Sequence, residues 1–129
     1  MRIRPILVTV VSLLAVGLIW TCRESFVSNK EHSNYGRHLK NIDEVKTAAW
    51  ALDQYKSKHG HYPELESWSR LIAFDSLLVQ EKLLSPNLSE TDCWGHPFTA
   101  TVSKSTYRVV YAGLPQRGSK YAQFQLQVQ

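Results

Sequence analysis

From Cys93 to Gln129 the chain contains no aspartate or glutamate, and from Pro5 to Cys22 it contains no charge of either sign. It has two cysteines, Cys22 and Cys93, too few for a disulfide framework or a thiolate metal cluster. It has no dense run of Lys and Arg of the kind that tracks a phosphate backbone, so a pI of 9.2 is weak evidence for a nucleic-acid partner. No glycine-bracketed serine forms a hydrolase elbow. There is no internal repeat and no low-complexity tract. An apolar content of 43% with 20% charged residues excludes a disordered chain, and 129 residues suffice for one domain, not two.

The charge that is present is unevenly placed. Arg2 and Arg4 contribute +2, residues 23–92 a net −2, and residues 93–129 a net +4 from Lys104, Arg108, Arg117 and Lys120. The 18 uncharged residues Pro5–Cys22 would span roughly 27 Å as a helix, close to a thin hydrocarbon core. Arg2 and Arg4 favour a cytoplasmic N-terminus, and Trp20 falls near the far interface. We read residues 1–22 as an uncleaved transmembrane signal-anchor. A cleaved secretory signal fits less well, because Ile19-Trp20-Thr21 lacks the small residues that cleavage requires. A lipoprotein signal ending at Cys22 is disfavoured by the bulk of Trp20 and Thr21. All three readings place residues 23–129 outside the cytoplasm.

Residues 23–34 are polar without a clear period and read as a stalk or linker. From Tyr35 the spacing is helical: Tyr35, Leu39, Ile42, Val45, Ala49, Leu52 and Tyr55 recur in steps of three and four. Lys40, Asp43, Glu44, Lys46, Asp53 and Lys56 are expected on the opposite side. Gly60 supplies a left-handed C-cap and Pro63 prevents resumption, so the spacing predicts one helix over about 35–58. Residues 67–84 predict one or two short helices ending before Pro86. Beyond Pro97 the period becomes two. Phe98, Ala100 and Val102, then Tyr107, Val109 and Tyr111, then Ala122, Phe124, Leu126 and Val128 alternate with polar or small neighbours. These predict three half-buried strands, antiparallel because their connections are too short for helical crossovers. The expected architecture over 35–129 is α+β, one long amphipathic helix on a small antiparallel sheet.

Two stretches carry a resemblance. Residues 51–63 read Ala-Leu-Asp-Gln-Tyr-Lys-Ser-Lys-His-Gly-His-Tyr-Pro, and residues 92–98 read Asp-Cys-Trp-Gly-His-Pro-Phe. A tyrosine-rich strand ending at Gly113 comes next. Over about residues 40–115 this resembles the periplasmic domain of the type II secretion major pseudopilin. The resemblance implies a pilin-like fold and a structural role in an envelope assembly. It marks Tyr55, Gly60, Tyr62, Pro63, Asp92, Trp94, Gly95, Pro97 and Gly113 as the motif residues. On their own chemistry these are turn and core residues: Gly60 ends the helix and Tyr62 covers its end. Trp94-Gly95 with Pro97 turns the chain into the first strand, where the Trp94 indole can cap the core. Asp92 accepts backbone N–H bonds in that turn.

The departures from the family matter for function. Prepilins carry a Gly-Phe-type processing site followed by an apolar stretch with an early glutamate. Here Pro5–Cys22 has no acidic residue, and an intramembrane carboxylate is retained only for a purpose. We therefore expect no processing or polymerisation of the standard kind. The family's calcium site draws on carboxylates of the C-terminal loop, and calcium wants several anionic oxygens. With no carboxylate after Asp92, no calcium site is carried over, and we expect no cofactor.

Other candidate chemistry is weak. His59-x-His61 with His96 is the best metal constellation, yet a turn flanking a helix end is polar for other reasons. Asp92 and His96 with a serine could imitate a triad. Cys93 has no neighbouring cation to lower its pKa. A Cys22–Cys93 disulfide would require the Cys93 turn to fold back to the membrane surface. We expect no catalytic residue, no metal and no enzymatic activity. The expected partners are other envelope or secretion-system proteins, met through the long helix and exposed domain, and the membrane through residues 5–22, with location in a bacterial inner membrane and the domain in the periplasm. The alternative is an extracytoplasmic binding module, in which the basic strands with Tyr107, Tyr111, Tyr121 and Phe124 hold an anionic polymer. Nucleic acid is not an expected partner.

Overall fold

The computed structural model describes residues 33–114 and 120–129, and the chain divides into two units, residues 1–36 and 37–129. The expected membrane span at Pro5–Cys22 and the loop residues 115–119 lie outside the described residues. Among those described, no helix is long and apolar enough to cross a membrane.

The second unit is α+β. Helix α1 covers residues 33–59, all but its first four residues in this unit, and ends where the periodic pattern ends. Gly60 adopts φ +82, and its N–H donates to the Lys56 carbonyl at 2.7 Å. A residue without Cβ adopts this conformation freely, so the cap follows directly from the sequence. Tyr62 N–H then donates to the Lys104 carbonyl, and Leu65 and Val102 exchange both backbone hydrogen bonds at 3.0 and 2.9 Å. The chain leaving α1 thus runs along the outer edge of the first strand.

Two short helices come next, α2 (Trp68–Ile72) and α3 (Leu77–Gln80). Each starts at a serine. The Ser67 and Ser76 hydroxyls accept from the backbone N–H three residues on, at 3.2 Å in both cases. Strands β1 (Thr99–Val102), β2 (Tyr107–Tyr111) and β3 (Phe124–Val128) form one antiparallel sheet in the order β1-β2-β3. The strands are shorter than their alternating patterns. Phe98 and Ala122 fall outside them, although Phe98 is buried.

One core joins helix and sheet. Val45, Ala48, Ala49, Leu52 and Tyr55 of α1 share a buried cluster with Ala100, Val102, Tyr107, Val109 and Tyr111. Leu71, Leu78 and Trp68 close it from the short helices. Trp68 is 2% exposed, stacks on Phe98 at 4.7 Å and donates its indole N–H to the Ser89 carbonyl at 2.7 Å. An indole buried at both its apolar face and its polar tip is a strong fixed point.

The face of α1 that is buried differs from the expected stripe. Tyr35 and Leu39 are exposed, and Trp50 is 56% exposed on the outer side. Asn41 and Glu44, the latter expected in solvent, are buried at 1% and 8% exposure. Residues 41, 44, 45, 48, 52 and 55 lie in steps of three and four, so the two polar groups sit within the core-facing stripe. The reason they are tolerated there is a set of hydrogen bonds to a loop distant in sequence.

Candidate functional site

That loop, residues 89–98, carries the second motif. Asp92 is buried at 6% exposure. Its Oδ1 accepts the backbone N–H of Trp94 at 2.8 Å and of His96 at 2.9 Å, while Oδ2 lies 3.3 Å from His96 Nδ1. The Asp92 N–H donates to the His96 carbonyl at 2.7 Å, and the Gly95 N–H to the Asp92 carbonyl at 3.0 Å. Gly95 turns at φ +87. One carboxylate therefore organises the whole turn, and Thr91 bridges to Pro97 to close it.

The turn is pinned to α1 from the helix side. Asn41 Oδ1 accepts the Cys93 N–H at 3.1 Å, and Glu44 Oε2 accepts the Ser89 N–H at 3.2 Å. Burial raises the Glu44 pKa, opposed by the Ser89 N–H and by nearby Lys40. Sequence reasoning missed both residues. The signal available was their i, i+4 relation to Val45 and Ala48, which places them on the apolar face.

Trp94 packs against the core half-buried. Its indole is nearly parallel to Tyr111 (17°, centroids 6.2 Å apart) and lies 6.0 Å from Tyr121. His38 completes this group, with Nδ1 3.2 Å from the Tyr111 hydroxyl and its ring 5.2 Å from Tyr121. Burial lowers the His38 pKa and raises that of Tyr111, so at neutral pH both are uncharged hydrogen-bonding groups. Cys93 is a free thiol at the edge of this group.

The first motif gathers at the other end of α1. Tyr55 and Tyr62 are buried, and Tyr62 meets Tyr107 edge-on at 5.1 Å. The Tyr62 hydroxyl donates to Asp53 Oδ1 at 3.2 Å, and Lys56 Nζ sits 4.6 Å over the Tyr62 ring. Burial first, then Asp53, pushes the Tyr62 pKa up to about 12. Pro63 is buried directly after it. His59 Nε2 contacts both Glu81 oxygens at 2.8 and 2.9 Å, and Lys58 Nζ reaches Glu81 Oε2 at 2.9 Å. The His59 hydrogen bond, then Lys58, lowers the Glu81 pKa.

Of the three candidate zinc ligands, His59 and His61 stay neighbours, with rings 6.5 Å apart, but each histidine is held by a different partner. His59 serves Glu81, His61 Nδ1 lies 2.9 Å from the Tyr62 carbonyl, and His96 faces Asp92. Among the described residues no three metal-ligating side chains converge. Asp92 and His96 do approach, but Oδ1 is committed to two backbone N–H groups. The arrangement is one of joints: Gly60 to Pro63 fixes the exit of α1, and Asp92 to Pro97 fixes the entry of β1. Gly113, at φ +74, ends β2 where the backbone of residues 121–123 passes against it. Comparison with protein-family models, with curated proteins and with solved structures finds no match.

Proposed function

We propose that this chain is a membrane-anchored, pseudopilin-like structural component of a type II secretion-like envelope assembly. Residues 5–22 would hold it in the inner membrane, with the pilin-like domain in the periplasm and without standard processing or polymerisation. The observation that supports this reading best is where the two motifs sit. Both lie on the joints between the long helix and the sheet, with Asp92 holding backbone N–H groups and Tyr62 and Trp94 packed against the rings of Tyr107 and Tyr111. Leu39 and Trp50, exposed on the outer side of α1, are the surface through which other chains would be met.

The alternative binding module is weaker. Tyr107 and Tyr111 are buried at 6% and 0% exposure and cannot stack on bases. The test is in-cell photo-crosslinking from positions 39 and 50, with exposed Ser105 in the β1–β2 turn as a control position. Adducts with secretion-system subunits at 39 and 50 support the assembly reading. Recovery of an anionic polymer instead, lost on Arg108→Ala, would replace it with the binding module. A phosphatase fusion after Ser25 reports topology, and an inactive fusion rejects the anchor.

A further inference from the structure

We propose that β3 is a self-pairing edge, through which two copies of this chain join their sheets into one six-stranded antiparallel sheet. Such pairing is independent of any secretion assembly. The two edges of the sheet are unlike. The β1 edge is occupied, because Leu65 exchanges backbone bonds with Val102 and Tyr62 bonds to Lys104. Among the described residues, nothing pairs with the outer edge of β3.

An open edge is ordinarily blunted by a lysine, a proline, a bulge or an inward charge. β3 has none of these. Phe124–Val128 holds no charged residue and no proline, and its register with β2 runs unbroken from Tyr111↔Phe124 to Tyr107↔Val128. Its apolar stripe is also unfinished. The inward residues of β1 and β2 are buried, whereas Phe124, Leu126 and Val128 are each only half-buried. A further strand alongside would cover the remainder.

The sequence of β3 is complementary to itself. Paired antiparallel about Leu126, Phe124 meets the partner's Val128, Leu126 meets the partner's Leu126, and Gln125 meets the partner's Gln127. Every apolar residue then lies on the core face and every glutamine on the other. A shift of one residue would set Gln against Leu and break the pattern. Gln125 and Gln127 each offer a donor and an acceptor, so the neutral pair is satisfied in both directions. The occupant is therefore a second copy of this chain.

The test uses the full chain in mild detergent, in two arms. In the first, sedimentation is followed over about a hundredfold concentration range, so that a weak equilibrium is seen. Wild type should pass from monomer to dimer. Gln125→Glu with Gln127→Glu should weaken this by at least about tenfold, since like charges then face each other across the axis. That variant should keep its fold. Arg108 lies opposite Gln127 and already donates to Gln125 Oε1 at 3.0 Å, so either carboxylate gains a local partner. In the second arm, Cys22 and Cys93 are replaced by serine and one new thiol is placed on β3. Leu126→Cys should oxidise to a covalent dimer, because directly opposed Cβ atoms lie about 5 Å apart. Val128→Cys should not, because the two copies would be about 13 Å apart along the strand. A wild-type monomer at every concentration overturns the proposal. So does a dimer indifferent to the paired glutamates, or equal cross-linking at 126 and 128.

Discussion

Replacing Gly113 by alanine tests how tightly the end of β2 is held against the lead-in to β3. Two costs apply. The backbone sits at φ +74, where an L-residue is disfavoured by about 1–2 kcal/mol. The added Cβ would also lie 2.6 Å from Gln123 N and 2.7 Å from Ala122 C and Tyr121 O. These are backbone atoms, and the Leu114 N–H to Tyr121 carbonyl bond at 2.9 Å holds that stretch in place. Moving it out of the way is an overpacking change of about 1–3 kcal/mol. The lower entropy of the unfolded alanine chain offsets about 0.4–1 kcal/mol. The net loss is about 1–4.5 kcal/mol, a sizeable share of the roughly 5–15 kcal/mol typical of a domain. Gly60 is the control. It has φ +82 and nothing within 4 Å of its added Cβ, so only the backbone cost remains and Gly60→Ala should lose about 1 kcal/mol. Urea titration of the full-length chain, followed by tryptophan fluorescence, gives both. At a slope of about 1–1.5 kcal/mol/M, the Gly113→Ala midpoint should fall about 0.7–3 M further than that of Gly60→Ala, the difference being the overpacking cost. Equal losses would refute this, showing that the close approach to residues 121–123 carries no energy.

Three further outcomes are expected. Trp68→Ala should cost about 3–5 kcal/mol and the half-buried Trp94→Ala clearly less, by the same titration; the reverse order would make Trp94 the main fixed point of the core. Glu44, whose pKa is raised, binds more protons folded than unfolded, so its contribution falls as pH rises from the ordinary carboxylate range through the raised value. Glu44→Gln should therefore gain melting temperature relative to wild type between about pH 4 and pH 7, and a constant difference would contradict it. Glu81 has the opposite sign. Its lowered pKa means stability present above the ordinary carboxylate range and lost as pH falls through the lowered value. Glu81→Gln should lower the melting temperature slightly at neutral pH, with the deficit shrinking as pH falls below the ordinary carboxylate range and reduced by salt.

Local chemistry was legible in the sequence. The period of three and four gave α1, Gly60 gave its end, the period of two gave three strands, and their short connections gave the antiparallel order. Asp92 was readable as the acceptor that organises its own turn, because all its backbone partners lie within four residues of it. These features share a physical basis: each is decided by steric and hydrogen-bonding preferences acting over a few residues. What tertiary structure alone decided is which side of each element is covered, and by what. Leu39 and Trp50 have the character of core residues yet face outward, while Asn41 and Glu44 face inward because the loop at Ser89 and Cys93 supplies N–H groups to them. Gly113 looks like an ordinary strand end until residues 121–123 are placed against it. Leu65 covers the β1 edge, whereas among the described residues nothing pairs with the outer edge of β3, a difference that no period can encode. Helical spacing fixes a direction around the axis, but the width of the buried stripe depends on partners tens of residues away.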